Sequence, residues 1–185
     1  TLAKYDVERE RYFLLVSAGR WVKNAYRAVR AFDELVSSTD DGSLCMVLVG
    51  ASPGGALRRM VRNRDRFRFD GYVPKRRLAA LYKGALAFVY PSLNEGFGYP
   101  PVEAMRYGTP VAASGAAAVP EICGDAALYF NPLMETEIRN RLLMLSRESD
   151  LRKRLATSGR GRYEKIAGRQ EQMLAAICTT ILGRA

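Results

Sequence analysis

The chain has 185 residues, 48% of them hydrophobic and 26% charged, enough for one globular domain with a full core. It carries a formal net charge of +10, no histidine, and three scattered cysteines, Cys45, Cys123 and Cys178. A histidine base, a Ser/His triad and a histidine-ligated metal are excluded within these residues, and the thiols suit buried positions in a cytoplasmic protein, not a disulfide framework. Residues 1–11 open on Thr1 in place of Met and are too polar for a signal peptide. They read as a lead-in from another domain of a longer chain. Residues 12–16 form a short apolar run of strand type, followed by Ser17-Ala-Gly-Arg20-Trp-Val-Lys23-Asn24. Ala25, Ala28, Val29, Phe32, Leu35 and Val36 then recur at helical spacing. Residues 45–49 are a second buried strand, closed by Gly50, and residues 55–62 a helix. A short strand at 67–69 ends in Gly71-Tyr-Val-Pro74, and a helix follows over 75–83.

Residues 85–90 make the next apolar strand, which stops at Pro91 before a polar loop with Gly96 and Gly98. Pro100 or Pro101 suits the first turn of a new helix. Strands at 109–113 and 127–130 follow, then helices over 134–147, 149–158 and 162–182. No apolar run reaches the roughly 20 residues that span a bilayer. Alternating β and α units with apolar strands imply one Rossmann-like α/β domain over residues 12–185, a mostly parallel sheet covered by helices on both faces.

Two features invite a functional reading. Six arginines fall between Arg58 and Arg68, with Lys75, Arg76 and Arg77 soon after. Such a run is either the solvated side of a helix and its exit loop or a patch for nucleic acid or an anionic membrane. Aromatic interleaving is thin, which argues against a single-strand stacking platform. The second feature is the loop after residue 90. Glu95 lies on it and Glu103 in the following helix, with seven residues between them. A carboxylate at such a place can accept two hydrogen bonds from vicinal hydroxyls, and a helix start presents N–H groups to an anion. Spacing alone leaves an ordinary βα turn equally open.

The ordered set Glu95-Gly-Phe-Gly98, Pro101-Val-Glu103-Ala-Met105 and Gly108-Thr-Pro-Val111, flanked by Tyr90-Pro-Ser92 and Val119-Pro-Glu121, resembles the signature of family 4 glycosyltransferases (glycosyl transferases group 1). The resemblance implies the C-terminal, donor-binding half of a GT-B fold, with the acceptor domain elsewhere in the same parent chain. It implies that Arg20 and Lys23 bind the donor's diphosphate, and that main-chain groups at Tyr72 and Val73 meet the base. Glu103 would hold the ribose hydroxyls. Glu95 would be the catalytic residue, facing the donor sugar by positioning and electrostatics, with N–H groups of Gly96, Phe97 and Gly98 on the sugar or phosphate. Transfer would proceed with retention, without a metal or other cofactor, from a UDP-, GDP- or ADP-sugar. The partners implied are that donor, a lipid-linked or glycan acceptor and an anionic inner membrane face touched from the cytoplasm; nucleic acid is not expected. Many relatives have polar residues where this chain has Gly115-Ala-Ala-Ala118. Alone, the domain would bind nucleotide and catalyse little. The competing readings are a nucleotide-binding regulatory module without transferase activity and a basic binder of nucleic acid or membrane.

Overall fold

A computed structural model describes residues 2–39, 41–52 and 55–182; the first residue of the lead-in and the last three of the expected domain lie outside the described residues. Six strands, β1 (Tyr12–Leu15), β2 (Cys45–Val49), β3 (Phe67–Asp70), β4 (Ala87–Tyr90), β5 (Val111–Ser114) and β6 (Ala127–Phe130), form one sheet in the order β3-β2-β1-β4-β5-β6. Every pairing is parallel, with Tyr12 opposite Cys45 and Phe13 opposite Ala87. Parallel neighbours require crossovers, and the helices α1 (Ala25–Ser37), α2 (Ala56–Met60), α3 (Lys75–Gly84), α4 (Tyr99–Arg106), α5 (Val119–Cys123), α6 (Glu135–Arg147) and α7 (Ser149–Leu182) provide them and close the fold.

The sheet is buried on both faces, which is why its strands read as continuous apolar runs. Successive side chains point to opposite faces. Phe13, Leu15, Met46, Leu48 and Val89 pack with Ala28, Phe32 and Leu35 of α1 and with Ile138 and Leu142 of α6. Tyr12, Leu14, Val47, Phe88 and Tyr90 belong to the other layer, with Leu81 and Tyr82 of α3 and Ala104 and Met105 of α4. The lead-in packs on this second layer: residues Leu2–Tyr5 form a 3₁₀ turn, Tyr5 is buried, and Lys4 and Tyr5 both donate to Asp70 at 2.8 Å.

Four local readings need correction. Cys45 and Cys123 are buried as expected, but Cys178 is exposed; the other three concern helices. The helix expected over 55–62 spans only Ala56–Met60. The short α5, with a proline in its first turn, was missed. The two helices expected over 149–158 and 162–182 are one helix of 34 residues, which runs straight through Gly159 and Gly161. Among the described residues, no helix is long and apolar enough to cross a membrane.

Strand order reverses between β1 and β4. The chain leaves β1 for α1 on one face of the sheet and leaves β4 for α4 on the other. Their exit loops therefore part at the carboxyl edge and open a crevice, the place where ligands of open α/β sheets bind.

Candidate functional site

The loop after β1 is drawn into this crevice by its backbone. Ala18 N–H donates to the Val49 carbonyl at 3.1 Å, and Leu93 N–H donates to that of Val22 at 2.9 Å. Asn24 ends a 3₁₀ turn over Trp21–Lys23 in the left-handed conformation, φ 52°. Asparagine tolerates that conformation better than most residues. Its buried amide donates to the carbonyls of Pro91 at 3.0 Å and Pro132 at 2.7 Å, tying together the loops after β1, β4 and β6. The turn sends Lys23 inward and leaves Arg20 and Trp21 outward, Trp21 at 83% exposure.

Lys23 is 6% exposed and reaches across the crevice to Glu95. Its Nζ donates to Glu95 Oε1 at 2.6 Å and to the Tyr90 hydroxyl at 3.1 Å. Ser92 Oγ donates to the same Glu95 oxygen at 2.5 Å. Burial works against ionisation of Glu95, but hydrogen bonds from Lys23, Ser92 and Tyr90 together outweigh it and hold the carboxyl below the ordinary carboxylate range. Glu95 is therefore a carboxylate at neutral pH, suited to electrostatic or nucleophilic work and not to proton donation. Burial, followed by the Glu95 carboxylate, drives the Tyr90 phenol upward, so it stays a protonated donor.

Gly98 caps α4 with φ 97°, a conformation that favours glycine, and a proline occupies the first turn. Around Gly96 nothing lies within 4 Å of where a side chain would start, so its backbone is open to a ligand. Phe97 and Tyr99 pack ring to ring at 4.6 Å between centroids. Glu103 sits exposed on α4, with the Tyr82 hydroxyl donating to Oε2 at 3.4 Å. After β3, Tyr72 projects at 88% exposure, whereas the Val73 side chain is buried in the core. Any ligand contact of Val73 must come from its main chain.

The expected residues thus share one edge but not one point. Lys23 and Glu95 are in direct contact, Glu103 lies on α4 with Tyr82 as its hydrogen-bond partner, and the Arg20–Lys23 pair is split, Lys23 buried and Arg20 exposed. Arg20 lines a hollow of about 530 Å³ between the loops after β1 and β2, together with Gly19 and Ser52. Tyr90, Ser92, Asn24 and Tyr82 also line the candidate site; Tyr90 and Ser92 flank the signature in the sequence, but none of the four carries an expected site role. Each has a hydroxyl or amide at or near an element end. Among the described residues, no group of three or more His, Cys, Asp or Glu side chains gathers so as to hold a metal.

Similar proteins share this architecture. An O-antigen chain mannosyltransferase (RfbU) from Salmonella typhimurium is 38% identical over 128 residues, 68% of this chain and 35% of its own length. The chain therefore spans only about a third of that relative. The solved C-terminal domain of a glycosyl transferase group 1 family protein (LpcC) from Francisella tularensis superposes with a TM-score of 0.74 at 22% identity, covering 88% of this chain and 89% of that one. An alpha,alpha-trehalose-phosphate synthase (UDP-forming) from Burkholderia vietnamiensis aligns with a TM-score of 0.78 at 11% identity, over 97% of this chain and 47% of that one. These likenesses identify the sheet as the C-terminal, Rossmann-like half of a GT-B fold. A family model for glycosyl transferases group 1 matches residues 3–162, a span holding all three carboxyl-edge loops, and the chain belongs to that family.

Proposed function

We propose that this chain is the donor-binding half of a retaining, metal-independent glycosyltransferase that moves a sugar from a nucleoside diphosphate to a lipid-linked or glycan acceptor. Mannose is the sugar class favoured, because the similar Salmonella protein is named as a mannosyltransferase. The parent would act in the cytoplasm, peripherally on the anionic inner membrane face, to which a net charge of +10 is suited.

What carries this function is the Lys23–Glu95 contact at the crevice between β1 and β4. An ammonium has three N–H donors. Tyr90 and Glu95 take two of them, and the third can meet a diphosphate oxygen. Arg20, exposed on the same loop, adds a forked donor. Together with N–H groups at Gly96, Phe97 and Gly98, these cations would stabilise charge on the departing nucleoside diphosphate without a metal. Glu95, ionised and held by Ser92 and Lys23, would face the developing positive charge on the sugar. Glu103 would take the ribose hydroxyls, with Tyr82 steadying its other side, and the backbone at Tyr72 and Val73 would take the base.

The arginine run offers less to a polyanion than its sequence suggests. Arg62 lies 3.8 Å from Asp33, Arg66 3.2 Å from Asp65 and Arg68 3.3 Å from Asp6. A thermal-shift titration with UDP, GDP and ADP tests the proposal. One nucleotide should stabilise the chain by about 2.7 kcal/mol at a hundredfold excess over its dissociation constant, and Glu103→Ala should abolish the shift. No shift with any of the three, or an unchanged shift in Glu103→Ala, would contradict it.

A further inference from the structure

At the opposite edge of the sheet, where the strands begin, lies a cleft of about 510 Å³. Its walls come from residues 9–10 ahead of β1, the end of α3, the Gly108-Thr-Pro110 turn ahead of β5, and the first turns of α7. Arg9, Lys83, Arg152, Lys153 and Arg160 line it, against a single carboxylate, Glu10. Lys153 is paired with Asp150 at 3.1 Å. Among the described residues, no carboxylate lies within ion-pair distance of Arg9, Lys83, Arg152 or Arg160.

The cluster is built into the fold. Arg152 donates to the Leu145 carbonyl at 2.7 Å, and Arg9 to the Lys83 carbonyl at 3.3 Å. These bonds fix the guanidinium groups without cancelling their charge. Arg160 lies over Gly108, where an added Cβ would come within 2.4 Å of its Nη2. The floor is buried at Ala85, Leu86 and Thr109. The 34-residue α7 starts at Ser149 on the rim, so the positive end of a long helix faces the same space. Like charges gathered without counter-charge cost stability, and an anion that several can share relieves the cost.

We propose that this cleft is a second ligand site, on the edge opposite the candidate donor site, for a soluble phosphate-bearing small molecule. Arg9, Lys83, Arg152 and Arg160 hold the phosphoryl oxygens, and the remainder of the molecule occupies the cleft. A free molecule is favoured over a lipid headgroup because the one large aromatic lining the cleft, Tyr107, is half-buried and stacked on Tyr82 at 5.8 Å between centroids, and none of the large exposed apolar side chains, such as Trp21, Tyr72, Leu133 and Met173, lines it. Exposed apolar side chains beside a headgroup site add to the electrostatic hold on a bilayer, and this cleft lacks them.

The test is an amide NMR titration of the isotope-labelled 185-residue chain with inorganic phosphate. Saturating shifts at Lys83, Gly108, Thr109 and Ser149 are expected. They should weaken at least tenfold in the Arg9→Gln/Lys83→Gln/Arg160→Gln variant, whose remaining signals report an unchanged fold. Glu103→Ala should leave the cleft titration as it is, so that loss of the donor site and loss of this one are read separately. Shifts that rise without saturating, that spread over the whole basic surface, or that persist in the triple variant would overturn the proposal. Phosphatidylglycerol vesicles in phosphate-free buffer form the second arm. Vesicle binding abolished by the triple variant, without saturable phosphate binding, would assign the cleft to lipid and overturn the soluble ligand.

Discussion

Lys23 and Glu95 form an ion pair in which the two side chains are only 7% and 16% exposed. Removing one partner of such a pair leaves the other desolvated and uncompensated, which costs far more than the pair itself contributes. Glu95→Ala should therefore lower the unfolding free energy by about 3 kcal/mol in urea denaturation, and Lys23→Met combined with Glu95→Leu should recover most of that loss. If the single and double variants are equally destabilised, the pair is not coupled as described. Acid should erase the difference between wild type and Glu95→Gln. The Glu95 carboxyl is held low by its donors against the opposing effect of burial, so its contribution is fully present above the ordinary carboxylate pKa of about 4.3. The contribution is lost as pH falls through the lower folded-state value. The same pair explains what could be read at residue scale. Glu95, Glu103 and Lys23 stood out because charge on a βα loop invites a function. Tyr90 and Ser92 hold that pair in place; the sequence marks them only as a flank of the signature, because the last residue of an apolar strand and a small residue after a proline show no role of their own.

At the scale of elements, strands were the most legible part of the chain. Apolar runs buried on both faces leave little freedom in where a strand lies, and residues 45–49 and 127–130 coincide with β2 and β6. Helices were harder, because glycine carries two meanings. The gap expected between helices at 149–158 and 162–182 holds Gly159 and Gly161, and glycine costs roughly 1 kcal/mol relative to alanine inside a helix. Packing overrides that cost. Gly159 is where α7 crosses α4, and a Cβ there would come within 3.1 Å of Met105 Cγ. Gly161 has nothing within 4 Å. The two positions should respond with opposite signs. Gly161→Ala should raise stability by about 0.5–1 kcal/mol, and Gly159→Val should lower it by about 1–3 kcal/mol through overpacking against Met105. Equal effects in thermal or urea unfolding would mean that the crossing does not depend on a missing side chain. The loop after β1 makes the same use of glycine: a Cβ on Gly19 would come within 2.5 Å of the Gly50 carbonyl oxygen, so this close approach of two loops, and the placing of Arg20 beside it, admits no larger residue.

On the proposed function, the whole molecule supplies one side of a reaction site. Glu103 and Gly96 are exposed on the carboxyl edge, and the backbone at Gly96 faces open space. Met173, Leu174, Ile177 and Ile181 form an exposed apolar stripe on the last turns of α7, a helix of about 51 Å at 1.5 Å per residue. An apolar stripe on a helix is ordinarily buried against another surface. The chain also spans only 35% of the length of its Salmonella relative. Catalysis by transfer needs the acceptor oriented at the donor carbon and water kept out, and a one-sided edge supplies neither. The 185-residue chain should therefore bind nucleoside diphosphate but release it from a sugar donor more than about a thousandfold more slowly than the full-length parent. The comparison is direct: nucleoside diphosphate release is followed at saturating donor, with and without the rest of the parent chain. Equal rates would show that these residues hold a complete active site, and the donor-half assignment would fall. A large difference with unchanged nucleotide affinity would place the missing catalysis in orientation and closure.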